Sequence, residues 1–462
     1  MRKPVFYLPA LLFLFSGTTL LSQGYQALHG SGYTGSTAVF NNPASLVHSV
    51  YKWELTLLSA QVKTSTNAFY LQNTNGSRSL VIGDGYRSRF AHGNADISLF
   101  NFMYKTGNNQ AFAVNFRLRN YAHARTLPFN YIDSTATSFN NFLIANRTTP
   151  FIEGFATTAG WAEADLSYSR VLSQTTNSRL SGGITLQIMK NISGGFAKLN
   201  KLSFLELKNG TDTAYAFTNG SGSFAYAESL AADGVKDALK KSPLSLGLSL
   251  GLEYLVYDED NTEKDNLSYD WKIGVSLLDL GAHRYKASPN SRQFSGPKQT
   301  ITDADADRKF SGVTDAQGFA DTVSSLFNDA SAINNSFSVS QPTRLVLNVD
   351  RNLGNHFYLN GELSLNFYAT SSYQKLRTRE LNLLTITPRW ETMGFGAYLP
   401  VQYNTQGQLW IGAAMKLGPL TLGLHNLGLL LKKQTSVSGG GYLLLSVHPF
   451  SRQHQERNFD CL

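Results

Sequence analysis

From Pro243 to Tyr257 the chain reads P-L-S-L-G-L-S-L-G-L-E-Y-L-V-Y, an alternation with a period of two. Leu244, Leu246, Leu248, Leu250, Leu252 and Tyr254 fall on one side, and Ser245, Gly247, Ser249, Gly251 and Glu253 on the other. Successive side chains of a strand point to opposite faces, so this is a β-strand with one apolar face and one face of small or charged residues. At roughly 3.3 Å per residue, about ten such residues tilted near 45° cross a bilayer. The pattern recurs. Ala162, Ala164, Leu166 and Tyr168 oppose Glu163, Asp165, Ser167 and Ser169, and Leu345, Leu347 and Val349 oppose Arg344, Asn348 and Asp350. Phe357, Leu359, Leu363, Leu365 and Phe367 oppose Asn360, Glu362, Ser364 and Asn366. After Asn266 the alternation assigns Leu267, Tyr269, Trp271, Ile273, Val275 and Leu277 outward, and Ser268, Asp270, Lys272, Gly274 and Ser276 inward.

Strand segments are predicted at 53–62, 95–105, 110–123, 161–171, 179–190, 243–257, 267–285, 342–352, 356–369, 381–391, 394–403, 408–417, 420–431 and 441–450. That even number, with short connections alternating with long ones at 200–241 and 287–341, predicts an all-β fold: a transmembrane antiparallel β-barrel of about 14 strands. Residues 229–240 suit one helix that covers a rim or enters the lumen. Charged residues are 16% of the chain and aromatics 12%. Soluble domains average about 25% charged residues, so the composition favours a barrel with aromatic girdles, although a large soluble β-sandwich or propeller shares part of it.

Met1-Arg2-Lys3 followed by a largely apolar run to Leu21 and then Ser22-Gln23 describes a secretory signal peptide over residues 1–23. The alternative is an N-terminal membrane anchor, for which the interrupted run is short. Residues 24–50, rich in Gly, Ser and Asn, form an expected N-terminal hatch or plug, 51–450 the barrel, and 451–462 a polar C-terminal tail. The formal charge of +8 is spread singly, with no basic cluster, which argues against a nucleic-acid partner. Cys461 has no partner for an internal disulfide.

Gly32-Tyr33-Thr34-Gly35 with Asn42-Pro43-Ala44-Ser45 resembles the N-terminal hatch of FadL-like outer-membrane barrels; an N-P-A turn before the first strand is also a feature of the PorV and PorQ barrels of type IX secretion. Together with Trp271 to Gly281, Gln341-Pro342-Thr343, Thr387-Pro388-Arg389-Trp390-Glu391, Tyr398-Leu399-Pro400-Val401 and Leu417-Gly418-Pro419-Leu420, the chain resembles an uncharacterised Bacteroidota outer-membrane barrel family, a domain of unknown function. The resemblance implies the outer membrane of a Gram-negative bacterium, contact with its lipid, and no enzymatic activity. FadL-like behaviour implies passage of a hydrophobic small-molecule ligand past a hatch at Asn41, Asn42, Pro43 and Ala44. PorV-like behaviour implies a non-transporting scaffold that holds a secreted or periplasmic protein.

Other motifs point to no catalytic or metal chemistry. Asp303, Asp305 and Asp307 have the spacing of a calcium loop, but Arg308 and Thr314 stand where that loop needs glycine and glutamate. Gly247-Leu248-Ser249-Leu250-Gly251 spells a nucleophile elbow inside a continuous strand, where the required sharp turn is missing. The histidines lack zinc-protease spacing, and no cofactor or metal is expected. The lumen-lining candidates are Arg117, Arg119, Glu163, Asp165, Glu253, Asp270, Lys272, Arg344, Asp350 and Glu362, as paired charges that fill the interior or as a polar path for a solute. Gly441 to Phe450 reads as a last strand ending in an aromatic residue, an assembly signal that the tail runs past.

Overall fold

The computed structural model describes residues 26–74, 77–132, 138–209, 212–231, 235–258, 266–369, 373, 375–428 and 434–449. The proposed signal peptide and the C-terminal tail lie outside them. Fourteen antiparallel strands close into a barrel. They are β1 (Trp53–Thr66), β2 (Phe90–Lys105), β3 (Gln110–Thr126), β4 (Phe151–Gln174), β5 (Ser178–Asn209), β6 (Leu244–Val256) and β7 (Trp271–Lys286). There follow β8 (Arg344–Gly354), β9 (Phe357–Asn366), β10 (Leu383–Glu391), β11 (Phe395–Tyr398 and Val401–Asn404), β12 (Leu409–Ile411 and Ala413–Leu417), β13 (Leu420–Leu424) and β14 (Gly441–Val447). The seam is β14 against β1, with Leu55 opposite Val447 and Gln61 opposite Tyr442. Pairing every strand leaves no open edge, which is how a sheet can lie in hydrocarbon.

The alternation sorts the side chains as a bilayer demands. Leu244, Leu246, Leu250, Leu252 and Tyr254 of β6 are exposed outward, while Gly247, Ser249, Gly251 and Glu253 are buried inside. Trp53, Tyr104, Phe112, Tyr254, Trp271, Phe357 and Phe395 form an outward aromatic girdle near the rim of short turns. Those turns are 106–109, 175–177, 355–356, 392–394 and 418–419. The opposite rim carries most of the long connections.

Three predictions need correction at strand ends. Leu267 and Tyr269 do not face lipid: they precede β7, which starts at Trp271, and both fold inward and are buried. Past Leu277 the strict alternation fails, because a β-bulge shifts the register between Leu248 and Leu250 and turns both Leu278 and Asp279 inward. The last strand stops at Val447, and His448 stacks on Tyr51 with ring centroids 3.9 Å apart.

The long connections are more ordered than the sequence suggests. β5 runs on to Asn209 and pairs with an outer strand, Asp212–Tyr226, which in turn pairs with Arg292–Pro297 and that with Phe327–Ala332. Among the described residues four short α-helices decorate the long-connection rim: α1 (Phe139–Ala145), α2 (Val235–Lys241), α3 (Asp303–Ser311) and α4 (Ala316–Leu326). The single helix expected over 229–240 is instead a 3-10 turn at Glu228–Ala231 and the separate α2. Asp303, Asp305 and Asp307 start α3. Thr302 and Asp305 form its capping box, and Asp303 accepts from the Tyr215 amide at 2.8 Å. These roles leave no calcium loop.

Candidate functional site

The interior is built around the N-terminal segment, which enters at the short-turn rim just ahead of β1. It forms three 3-10 turns, Gln26–Leu28, Gly35–Phe40 and Pro43–His48. Such short turns leave many backbone groups without internal partners, and wall side chains supply them. Asn42 caps the third turn through the Ala44 amide at 2.9 Å and donates to the Leu252 carbonyl at 3.0 Å. Ser169 donates to the Ala44 carbonyl (3.0 Å), Ser276 to that of Asn41 (2.6 Å), Arg344 to that of Phe40 (2.9 Å), and Lys105 to that of Ser49 (2.8 Å). Glu54 accepts from the Ser36 amide at 2.8 Å. The small inward residues of β5 and β6 make the seat itself: a Cβ on Gly183 would lie 2.3 Å from the Pro43 carbonyl carbon, and one on Gly251 2.0 Å from the Asn42 side-chain oxygen.

Above this seat lies a layer of charge. Arg117 reaches Asp96 at 3.2 Å, Glu163 at 3.0 Å and Asp165 at 3.6 Å. Arg119 grips Asp279 with two nitrogens at 2.9 and 2.8 Å and lies 3.4 Å from Glu163. The fork geometry explains arginine here, since two parallel bonds fix both partners. Arg344 and Lys63 flank Glu380 at 3.3 and 3.2 Å. Burial by itself pushes the Glu380 carboxyl up, and the cations Arg344 and Lys63 outweigh it and hold the group below the usual carboxylate range.

Of the sequence-derived candidates, Glu253 and Glu362 lie inside and hold the N-terminal segment: Ser45 donates to Glu253 at 2.5 Å, and Asn41 to Glu362 at 3.1 Å beside His29. Asp350 is buried against Arg389 (2.8 Å) and receives the Tyr269 hydroxyl, while Lys272 is buried 4.7 Å from the Tyr269 ring centre. Asp270 does not face the lumen; it precedes β7 at the rim and pairs with Arg351 with both side chains about a third exposed. His48 lies 3.8 Å from Glu253, yet burial holds its imidazole well below its ordinary value, assisted by Arg179, Lys272 and Lys105. It is therefore neutral, and its partner is the Ser181 hydroxyl.

Sequence reasoning missed Asp96, Asp279, Glu380, Arg389 and Glu391. Asp279 owes its inward aim to the β7 bulge, where it takes φ 56° and its amide donates to Ser249 at 3.0 Å. Thr-Pro-Arg-Trp-Glu did contain the signal for Arg389 and Glu391, which alternate inward around Trp390 and pair at 2.9 Å.

Between the segment and the charged layer the open space is small. Room for water centres is about 10 Å³ beside Arg117, Asp165 and Asp279, and about 30 Å³ beside His29, Thr37 and Asn41. The first holds about one water. Farther toward the long-connection rim the interior turns apolar. Tyr121, Trp161, Met189, Phe196, Tyr285 and Phe337 pack together, Tyr121 stacked on Trp161 at 5.6 Å and Tyr285 on Phe337 at 5.4 Å. This cluster stands beside an interruption in the wall. β6 begins only at Leu244, opposite Lys190, so between 191–194 of β5 and the upper part of β7 the ladder is replaced by piecemeal bonds. Asn191 donates to the Arg284 carbonyl (3.0 Å) and to Ser245 (2.6 Å), and the Ala227 amide donates to the Gly194 carbonyl (2.7 Å).

The chain is similar in structure to a Pseudomonas aeruginosa FadL homologue, with 11% identity, 92% of this chain and 97% of the other covered, and a TM-score of 0.46. It is also similar to the Pseudomonas putida toluene transporter TodX (10% identity, 92% and 98% covered, TM-score 0.44) and the Ralstonia pickettii toluene transporter TbuX (9% identity, 90% and 94% covered, TM-score 0.43). No curated protein matches the sequence. A family model spans residues 43–424, so the chain belongs to the family of unknown function DUF5723.

Proposed function

We propose that this barrel resides in the outer membrane of a Gram-negative cell and passes small hydrophobic molecules sideways, past the aromatic cluster into the bilayer, not down the lumen. The observation that carries this reading is the position of the cluster. It lies above a floor of paired charges that an apolar solute would cross only at high cost, and beside a stretch of wall between β5 and β7 whose strand ladder is replaced by side-chain and turn contacts. An apolar, aromatic lining with a few polar groups such as His283 and Asn191, 2.9 Å apart, suits a small hydrophobic ligand. The N-terminal segment, as a hatch, keeps polar solutes from following.

The test is uptake of toluene and of raffinose by proteoliposomes carrying the protein or its Phe337→Lys variant. Toluene uptake above empty liposomes, cut at least fivefold by the buried lysine, with raffinose excluded throughout, supports the reading. Equal toluene uptake by both proteins removes the aromatic cluster from any route. No uptake above empty liposomes removes transport and leaves a scaffold that binds a secreted or periplasmic protein through the ordered long connections.

A further inference from the structure

The lipid-facing side of the wall interruption carries an uneven charge. On β7, His283 and Tyr285 point inward, and Arg284 and Lys286 between and beyond them point outward and are exposed. On β5, Lys190 stands opposite Leu244 and next to the inward, fully buried Met189. The helix α2, which leads straight into β6, adds Lys236, Lys240 and Lys241. These groups share one level of the barrel. Asn191 ties Ser245 of β6 to the Arg284 carbonyl, Lys241 lies three residues before the start of β6, and Lys286 bonds Glu228 at 2.7 Å. Among the described residues of this sector Lys286 pairs with Glu228 and Lys241 with Asp237, while Lys190, Lys236, Lys240 and Arg284 add four further positive charges.

Directly below them the surface is apolar: Leu244 is 68% and Leu246 65% exposed. Other outward positions near this rim are aromatic or aliphatic, such as Phe367, Tyr403 and Leu409. Isolated lysines that reach up from hydrocarbon to water are ordinary at membrane interfaces. Bases gathered on three adjoining elements directly above exposed leucines are a different arrangement. It sets the acyl chains of a lipid against Leu244 and Leu246 while its headgroup meets cations on three separate elements. Each basic residue near an anionic surface contributes about 1 kcal/mol, and phosphate is the headgroup anion that lysine and arginine both bind well.

We infer that this sector is a docking surface for a phosphorylated lipid of the outer leaflet, whose phosphate bridges Arg284 and Lys286 of β7 to Lys240 of α2 across the gap above β6. The bound lipid ties α2 to β7 beside the interruption. The inference goes beyond the proposed passage of hydrophobic molecules and holds whether or not anything passes.

The experiment is native mass spectrometry of the full barrel, released from detergent after incubation with lipid A or with chemically dephosphorylated lipid A. Compared are the wild type, the triple variant Lys240→Gln/Arg284→Gln/Lys286→Gln, and a control at a distant exposed base, Arg308→Gln. Heat-modifiable gel mobility verifies that each barrel is folded. The expected result is a lipid A adduct on the wild type and control, at least tenfold depleted in the triple variant, and at least tenfold weaker with dephosphorylated lipid. Equal adducts on the folded triple variant, equal adducts with the dephosphorylated lipid, or no adduct at all would overturn the inference. Toluene uptake is a separate readout, so its failure leaves this test intact.

Discussion

The seat of the N-terminal segment makes a sharp prediction through Gly183. Its backbone is ordinary, so an alanine there meets no conformational strain and only space matters. The new Cβ would lie 2.3 Å from the Pro43 carbonyl carbon, against an ordinary contact that begins at 3.4 Å. The difference is 1.1 Å, and the near atoms are backbone, which cannot swing aside as a side chain would. A lift of that size takes the Asn42–Leu252 and Ser169–Ala44 bonds from 3.0 Å to beyond 4 Å, and stretches Ser276–Asn41 and Ser45–Glu253 from 2.6 and 2.5 Å past 3.5 Å. At about 1 kcal/mol for each of three neutral bonds and about 2 for the one to a carboxylate, the seat loses about 5 kcal/mol. That is between three and four powers of ten in occupancy at about 1.4 kcal/mol per decade. The assay is single-channel conductance in a planar bilayer: a closed wild type, and a Gly183→Ala barrel that flickers open. Gly93→Ala is the control, because its Cβ would meet only the Thr64 methyl at 3.9 Å. A folded Gly183→Ala barrel as closed as the wild type would refute the reasoning.

Three further outcomes follow from the same interior. Arg119→Met strands the buried Asp279 and should cost about 3–5 kcal/mol in urea unfolding from lipid vesicles, part of which Arg119→Met with Asp279→Asn should recover; an effect under 1 kcal/mol for the single variant would contradict the bidentate pairing. Asp270→Ala, at the rim, should cost less than about 1 kcal/mol, because its pair with Arg351 is partly hydrated, whereas Asp350→Ala leaves Arg389 buried and should cost several-fold more; equal losses would contradict the placement of Asp270. His48 is depressed by burial when seated and regains its ordinary value of about 6.5 when the segment leaves. The released form therefore binds more protons, so seating is at full strength above that pH and weakens as pH falls below it, by up to about 1.4 kcal/mol per unit. The ratio of conductance at pH 5 to that at pH 6.5 should be higher in the wild type than in His48→Asn; equal ratios would remove the histidine from the pH response.

Where side chains alternate, the sequence was a sufficient guide. β6 shows this: one unbroken period of two names its lipid face and its inner face, and even its glycines and serines turn out to be the seat. The alternation could not show where a strand begins, which is why it assigns Leu267, Tyr269 and Asp270 to β7 when they lie in the connection before it. Nor could it see a bulge, since one extra residue reverses every later assignment, and Asp279 was lost that way. Distance defeated the rest. Nothing near Arg119 in the chain announces Asp279, 160 residues on, and nothing in Asp212 to Tyr226 announces that β5 outlasts the bilayer to pair with it. The aspartates at 303, 305 and 307 share the spacing of a metal loop yet start a helix, because carboxylates favour helix starts as well as metal loops.

The reach of the N-terminal segment also constrains how the chain assembles. This segment precedes the first strand, yet Arg389 donates to the Gly30 carbonyl across 359 residues and Ser31 donates to Glu391 across 360. Its contacts run from Glu54 on the first strand to Tyr442 and Leu444 on the last, and the seam that shuts the cylinder joins those two strands. A cylinder shut early would have to admit three folded turns through a rim already crossed by tight loops. Held against β5 and β6 while the sheet is still open, the same segment acts as a former around which the later strands curl. The seam then closes on a core already in place, and the slow step of biogenesis becomes the gathering of these far-separated partners.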